Sequence, residues 1–158
     1  MKLLVLALLV VSALGIGGCS NVPRQSAAKD LEAKVFSQPE KGMARLYVVR
    51  NTTFGQFYDL AVSINSLLVA TTSPRTYAKF DIPAGQYFIG SRAENYYQYS
   101  IQIEEGKNYF LWQRVTICRT VCTELIELSE EDGKNAVLES SLVVNWVEDK
   151  FINPVKAR

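Results

Sequence analysis

The sequence predicts a mainly β, antiparallel fold with a short helix near the C-terminus. Three observations lead there. From Met43 onward, short stretches rich in Val, Ile, Tyr and Phe recur. Most of them alternate apolar with polar residues, and Gly, Pro, Asn or Ser separate one from the next. Of the 158 residues 48% are hydrophobic and 21% charged, which is enough apolar material for one core and too little chain for a second full domain.

The elements follow in order. Residues 21–37 are polar and contain Pro23 and Ser26, so they read as a tether, with a short helix suggested over residues 29–34. Ala44, Leu46 and Val48 alternate with Arg45, Tyr47 and Val49, and Leu60, Val62 and Ile64 alternate with Ala61 and Ser63, giving two strands with one core face each. Asn65-Ser66 then forms a tight hairpin into residues 67–71, because asparagine tolerates positive φ. Phe80 and Ile82 mark the next strand, and Pro83-Ala84-Gly85 turns it into residues 86–89. Tyr97, Tyr99, Ile101 and Ile103 give the cleanest period-two run, with Gln98, Ser100, Gln102 and Glu104 on its wet face. A turn at residues 105–108 leads into the longest strand, residues 109–117, and residues 123–128 supply its partner. Ser129 caps a short helix whose acidic residues Glu130, Glu131 and Asp132 sit at its positive end, and Gly133 weakens it. Residues 142–147 are apolar enough to dock, but their mixed periodicity fits helix and strand equally.

Several chemistries are excluded at once. The chain contains no histidine, which removes Ser/His/Asp and Cys/His catalysis, His-bearing zinc sites and His-ligated haem. Seventeen Lys and Arg against sixteen Asp and Glu leave no basic field, so nucleic acid is not an expected partner. No Gly-rich phosphate loop, calcium loop or Gly-x-Ser-x-Gly elbow occurs, and no cofactor or metal is expected.

Met1-Lys2 followed by an apolar run over residues 3–18 reads as a secretory signal; sixteen residues are short of the ~20 that span a bilayer. Its end, Ile16-Gly17-Gly18-Cys19, resembles a bacterial lipobox, with Ile16 in place of the usual leucine. That resemblance implies lipidation of Cys19 and cleavage before it. Cysteine arithmetic agrees: three cysteines are odd for an exported chain, and a lipidated Cys19 leaves Cys118 and Cys122 as a pair. Ser20 stands where aspartate would signal inner-membrane retention, which favours the outer membrane, facing the periplasm.

In one continuous strand Cys118 and Cys122 would stand ~13 Å apart, too far for a disulfide. Reversal of the chain through Arg119-Thr120-Val121 brings them within reach, so a structural disulfide across a hairpin is expected; a redox pair or half a metal site is the alternative. Tyr96, Tyr97 and Trp112 are the candidate ligand surface, since aromatic rings beside amides can stack on sugars. Packing across strands is the plainer reading of the tyrosines. Trp112 shares its strand face with Phe110 and Arg114, which fits either a cation-π contact or the cover of a second core.

The order of Lys41-Gly42-Met43-Ala44-Arg45-Leu46-Tyr47-Val48-Val49-Arg50, Val62-Ser63-Ile64-Asn65, Thr76-Tyr77, Pro83-Ala84-Gly85-Gln86-Tyr87 and Gly106-Lys107-Asn108-Tyr109 behind a lipobox resembles a family of uncharacterised bacterial lipoproteins with a domain of unknown function. Similar Pro-x-Gly-x-Tyr turns occur in transthyretin-like and carboxypeptidase-regulatory-like sandwiches, so the resemblance implies a small Greek-key β-sandwich. Asn65-Ser66 departs from the family, which more often has glycine second. The expected organisation is a signal peptide at 1–18, a lipidated tether at 19–40, the sandwich at 41–128, and a helix with a docking tail at 129–158. The expected function is a membrane-anchored, non-enzymatic binding or assembly module of the cell envelope, with an envelope protein as partner. The alternatives are a glycan or peptidoglycan binder using the surface aromatics and, behind it, an envelope hydrolase using paired carboxylates.

Overall fold

A computed structural model describes residues 22–155; the expected signal segment and Cys19 lie outside the described residues. The elements are helix α1 (Ala27–Ala33), strands β1 (Met43–Arg50), β2 (Leu60–Ile64), β3 (Leu67–Thr72), β4 (Thr76–Pro83), β5 (Gly85–Arg92), β6 (Tyr96–Ile103), β7 (Asn108–Ile117) and β8 (Val121–Glu127), helix α2 (Glu130–Leu138), and the two-residue β9 (Ser141–Leu142). A 3-10 turn over Asp149–Phe151 follows.

Two sheets pack face to face as a Greek-key sandwich, one ordered β8-β7-β1-β4-β9 and the other β3-β2-β5-β6. After β1 the chain crosses to build the β2–β3 hairpin and returns to lay β4 antiparallel beside β1. The antiparallel expectation fails at one central pair, because β1 and β7 run parallel, Arg45 opposite Asn108 through Val49 opposite Trp112. The turn before β7 arrives at the end where β1 begins. There Gly106 donates its N–H to Met43 O and Arg45 donates to Lys107 O, so both strands set out in the same direction. The short β9 also lies parallel to β4.

The Asn65-Ser66 hairpin forms as expected, both residues adopting positive φ, 50° and 70°. A serine there lacks glycine's freedom. Asn65 helps hold the turn by accepting the Phe88 N–H at 2.9 Å and donating to Asn153 O at 2.7 Å.

Between the sheets, Leu46, Val48, Val62, Ile64, Phe80 and Ile89 form part of the main core, with Val22, Val143 and Ile152 sealing it from the chain ends. A buried polar chain crosses it: the Gln113 amide contacts the Thr72 hydroxyl, donates to Ser91 Oγ at 2.7 Å, and Ser91 shares a 2.8 Å bond with Thr123. The single-faced reading of β1 needs correction. Its other face is buried too, because Tyr47 and Val49 join Tyr77, Phe110, Ala136 and Val137 in a second core beneath α1 and α2. Tyr47 stacks on Phe110 at 4.9 Å and donates its hydroxyl to Ala33 O at 2.9 Å. Burial pushes the Tyr47 hydroxyl up to about 12.

The tether expectation for residues 19–40 is also corrected. Residues 22–36 are docked: Val22 is buried in the main core, Arg24 bridges to Val143, and Ala33 is buried in the second core. Ser26 caps α1, and the Asp30 carboxylate ties that helix to the sheet. The 41–128 boundary is blurred likewise, because β9 completes the first sheet from beyond it. The undecided stretch 142–147 is neither helix nor long strand. After β9 it bridges at Val143 and bends at Trp146 and Val147, its backbone bonding to Tyr77, Pro23 and Val69.

Candidate functional site

The three aromatic residues singled out from the sequence do not meet. Tyr96 lies on the outer face of the β3-β2-β5-β6 sheet, its ring over Gly90 and 5.4 Å from the Arg92 guanidinium, at the rim of a shallow hollow shared with Ser63, Leu68 and Gln98. Tyr97 points the other way by strand alternation and is exposed only because it stands near the strand's end. Trp112 belongs to the opposite sheet, half-buried beside Leu128 and Ala136 of the second core region, with Arg114 5.7 Å from its ring. Both readings of Trp112 therefore hold together, core cover and cation-π contact. Among the described residues Tyr96, Tyr97 and Trp112 do not form a common stacking platform.

Cys118 and Cys122 form the disulfide, their Cα atoms 5.8 Å apart across the tip of the β7–β8 hairpin, with Thr116 opposite Cys122 and Ile117 opposite Val121. Its neighbourhood is exposed, and among the described residues no group of three His, Cys, Asp or Glu converges as a metal site.

Sequence reasoning missed the loop at residues 51–59. Arg50, fully buried at the end of β1, donates to Tyr58 O at 2.6 Å, Gly55 O at 2.8 Å and Phe54 O at 3.2 Å. Burial pulls its guanidinium down to about 10, with Asp59 opposing the fall. The pinned loop holds Phe54 and Tyr58 outward, and Phe57 is 88% exposed. The available signal was three aromatics in a Gly-bearing loop with no alternation to bury them.

Carboxylates do come together, at the other end of β4. Asp81 pairs with Arg45 at 2.5 Å and Lys79 at 2.8 Å, and its backbone N–H donates to Asp149 at 2.9 Å. Burial tends to raise the Asp81 carboxyl, but Arg45 and Lys79 together hold it below its ordinary value. Asp149 moves the opposite way. Burial raises it and the nearby Asp81 charge adds to the rise, against the pull of the Asp81 N–H. Two acids this close resemble a hydrolytic pair, but Asp81 is occupied by two cations and Asp149 by a backbone amide.

That acidic corner borders the described N-terminal residues, Gln25 lining the same hollow as Asp149. Arg24 is bridged antiparallel to Val143, and Val144 donates its N–H to Pro23 O at 2.9 Å. Gln25, three residues past Val22, shares a shallow surface hollow with Asn145, Trp146, Glu148 and Lys150. The ring of Trp146 is 60% exposed, as is that of Phe151 two positions past Asp149. Lys150 stands 5.0 Å from the Phe151 ring. The Trp146 backbone bonds to Val69 on edge strand β3, next to the exposed Leu67 and Leu68. Among the described residues no helix is long and apolar enough to cross a membrane.

An uncharacterized protein of Haemophilus influenzae (strain Rd) is 30% identical to this chain over 135 residues, covering 84% of this chain and 80% of the other. The chain belongs to the family that this protein represents. The aligned stretch is longer than residues 41–128, so the likeness takes in flanking segments as well as the sandwich strands. No family model matches the sequence, and no solved structure matches it.

Proposed function

We propose that the protein is a lipid-anchored lipoprotein of the bacterial cell envelope, held in the outer membrane through Cys19 and facing the periplasm, where it serves as a non-enzymatic binding or assembly module. One observation carries this reading. Cys118 and Cys122 satisfy each other, which leaves Cys19 as the odd thiol, placed behind a sixteen-residue apolar leader that ends in two glycines. Two or three acyl chains at ~0.8 kcal/mol per buried methylene would make such an anchor stable. A disulfide across a hairpin suits the oxidising compartment that this route reaches.

The non-enzymatic part of the reading is supported by the internal pairing of Asp81 and Asp149 and by the separation of the surface aromatics. The docked aromatic loop at residues 51–59 offers a rigid surface for an envelope protein, since a loop fixed by three hydrogen bonds pays little ordering entropy on binding.

The test is the Cys19→Ala chain expressed with its leader. The wild-type product should stay with membranes through high salt and carbonate and weigh more than its polypeptide from Cys19 onward. The variant should appear in the soluble fraction. A wild-type product of bare polypeptide mass removes the proposal.

A further inference from the structure

We infer that the edge of the sandwich around Val22, carrying Trp146 and Phe151, rests on the bilayer's headgroup layer; this rests on the lipid anchor at Cys19 proposed above. The reason is the length of the leash. Val22 is fixed in the main core, so three residue steps separate Cys19 from the folded body. Fully extended, they reach no more than about 11 Å. A headgroup layer is itself about 5–8 Å deep. A lipid seated in the membrane therefore holds Val22 within a few ångströms of the surface, and whatever side chains surround Val22 are brought to that surface.

Those side chains suit it. Trp146 lines the same hollow as Gln25, close along the chain to Val22, and a 60% exposed tryptophan is the residue that bilayer interfaces accept best. Phe151 adds a second exposed ring, with the Lys150 ammonium 5.0 Å from it and paired with Glu148 at 2.6 Å. Leu67 and Leu68 extend the apolar margin along β3. Neither Trp146 nor Phe151 belongs to either core cluster. The exposed loop at residues 51–59 follows the end of β1 where Arg50 pairs with Thr76, the first residue of β4, while Asp81, partner of Asp149, lies near the far end of that strand. The aromatic loop is thereby left free for other contacts.

The experiment uses the full-length lipidated chain in vesicles of phosphatidylethanolamine and brominated phosphatidylcholine. Intact mass comes first: a product without lipid defeats the anchor proposal and is read separately. With lipid present, the Trp112→Phe variant isolates Trp146 and the Trp146→Phe variant isolates Trp112. Trp146 emission should fall about twofold against unbrominated vesicles, as expected for a ring at the interface, while Trp112 emission stays unchanged. The unsubstituted chain supplies an independent readout, because amides 145–151 should exchange deuterium more slowly on vesicles than after proteolytic release from the anchor. Lipid present with Trp146 unquenched and exchange unaltered overturns the inference. So does an unquenched Trp146 shielded in a cross-linkable dimer, which would assign the face to a second copy.

Discussion

The carboxylate of Asp30 accepts the hydroxyl of Tyr77 at 2.9 Å, and the same oxygen accepts the backbone N–H of Leu142 at 2.8 Å. One side chain thus joins α1, β4 and β9. Its other oxygen takes Lys34 at 2.7 Å, and Lys34 also donates to Ser140 O at 2.6 Å. Burial alone would raise the Asp30 carboxyl; the three donors outweigh it and hold it low. Asp30→Ala should cost about 2 kcal/mol in urea unfolding, because three partly buried donors lose their acceptor. Asp30→Asn, which keeps one carbonyl oxygen, should cost less. Equal losses for the two variants would contradict this assignment.

Gly133 gives a prediction whose sign opposes helix propensity. Exchanging a helical glycine for alanine ordinarily gains about 1 kcal/mol. In α2 a Cβ at this position would run into the ring and Cβ of Phe110, which is already stacked on Tyr47. Gly133→Ala should therefore lower the thermal midpoint, since overpacking typically costs about 1–3 kcal/mol. A raised midpoint would mean that α2 can shift away from the sheet.

Arg50 should matter for the loop more than for the sheet. In Arg50→Met, the carbonyls of Phe54, Gly55 and Tyr58 lose a charged donor, a loss of about 3 kcal/mol if all of it reaches global stability. Chymotrypsin under native conditions should cut the variant at Phe54, Phe57 or Tyr58 well before the wild type. Identical cleavage rates would show that the loop is held by something other than this guanidinium.

Asp149 should shape the pH dependence. Its folded pKa is raised above the ordinary 3.8, so the stability it contributes is full below that value and is lost as pH rises through the folded one. Asp149→Asn can still accept the Asp81 N–H and carries no charge. The variant should match the wild type near about pH 3 and melt higher at about pH 7. Asp30 and Asp81, both held low, work in the other direction. Their contribution is full above the ordinary carboxylate value and disappears as pH falls through their folded values. A variant less stable than the wild type at neutral pH would reverse the sign assigned to Asp149.

The Cys118–Cys122 bond closes a very short loop, so its removal should cost little chain entropy. Cys118→Ser with Cys122→Ser should lose about 2 kcal/mol at most. Unchanged resistance to urea in the wild type after reduction would put the value near zero.

The strands were legible because period-two alternation is local: Tyr97, Tyr99, Ile101 and Ile103 declare their face without any partner. The disulfide was legible for the same reason, since five consecutive residues contain both cysteines and the reversal between them. What escaped was set by contacts distant in sequence. Nothing near Val22 reveals that it enters the core beside Val143, so a polar segment with one proline looked like free linker. Tyr47 and Val49 looked like a wet face because their cover comes from α1 and α2, far along the chain on either side. The candidate surface failed similarly: Tyr96 and Trp112 are each exposed in part, but alternation cannot say that their strands belong to opposite sheets. The lining of the Val22 edge arises from three separate segments and had no local signature.

The parallel seating of β7 against β1 has a bearing on how the molecule comes into being. Its central ribbon begins near residue 43 but lacks one flank until residue 112 has been made, and Arg24 waits for a neighbour at 143. A chain wired this way has high contact order and stays open through most of its synthesis. A translocation channel that admits only unfolded polypeptide would find it threadable almost to residue 143, whereas loss of residues 143–155 would leave the sandwich's side seam unclosed.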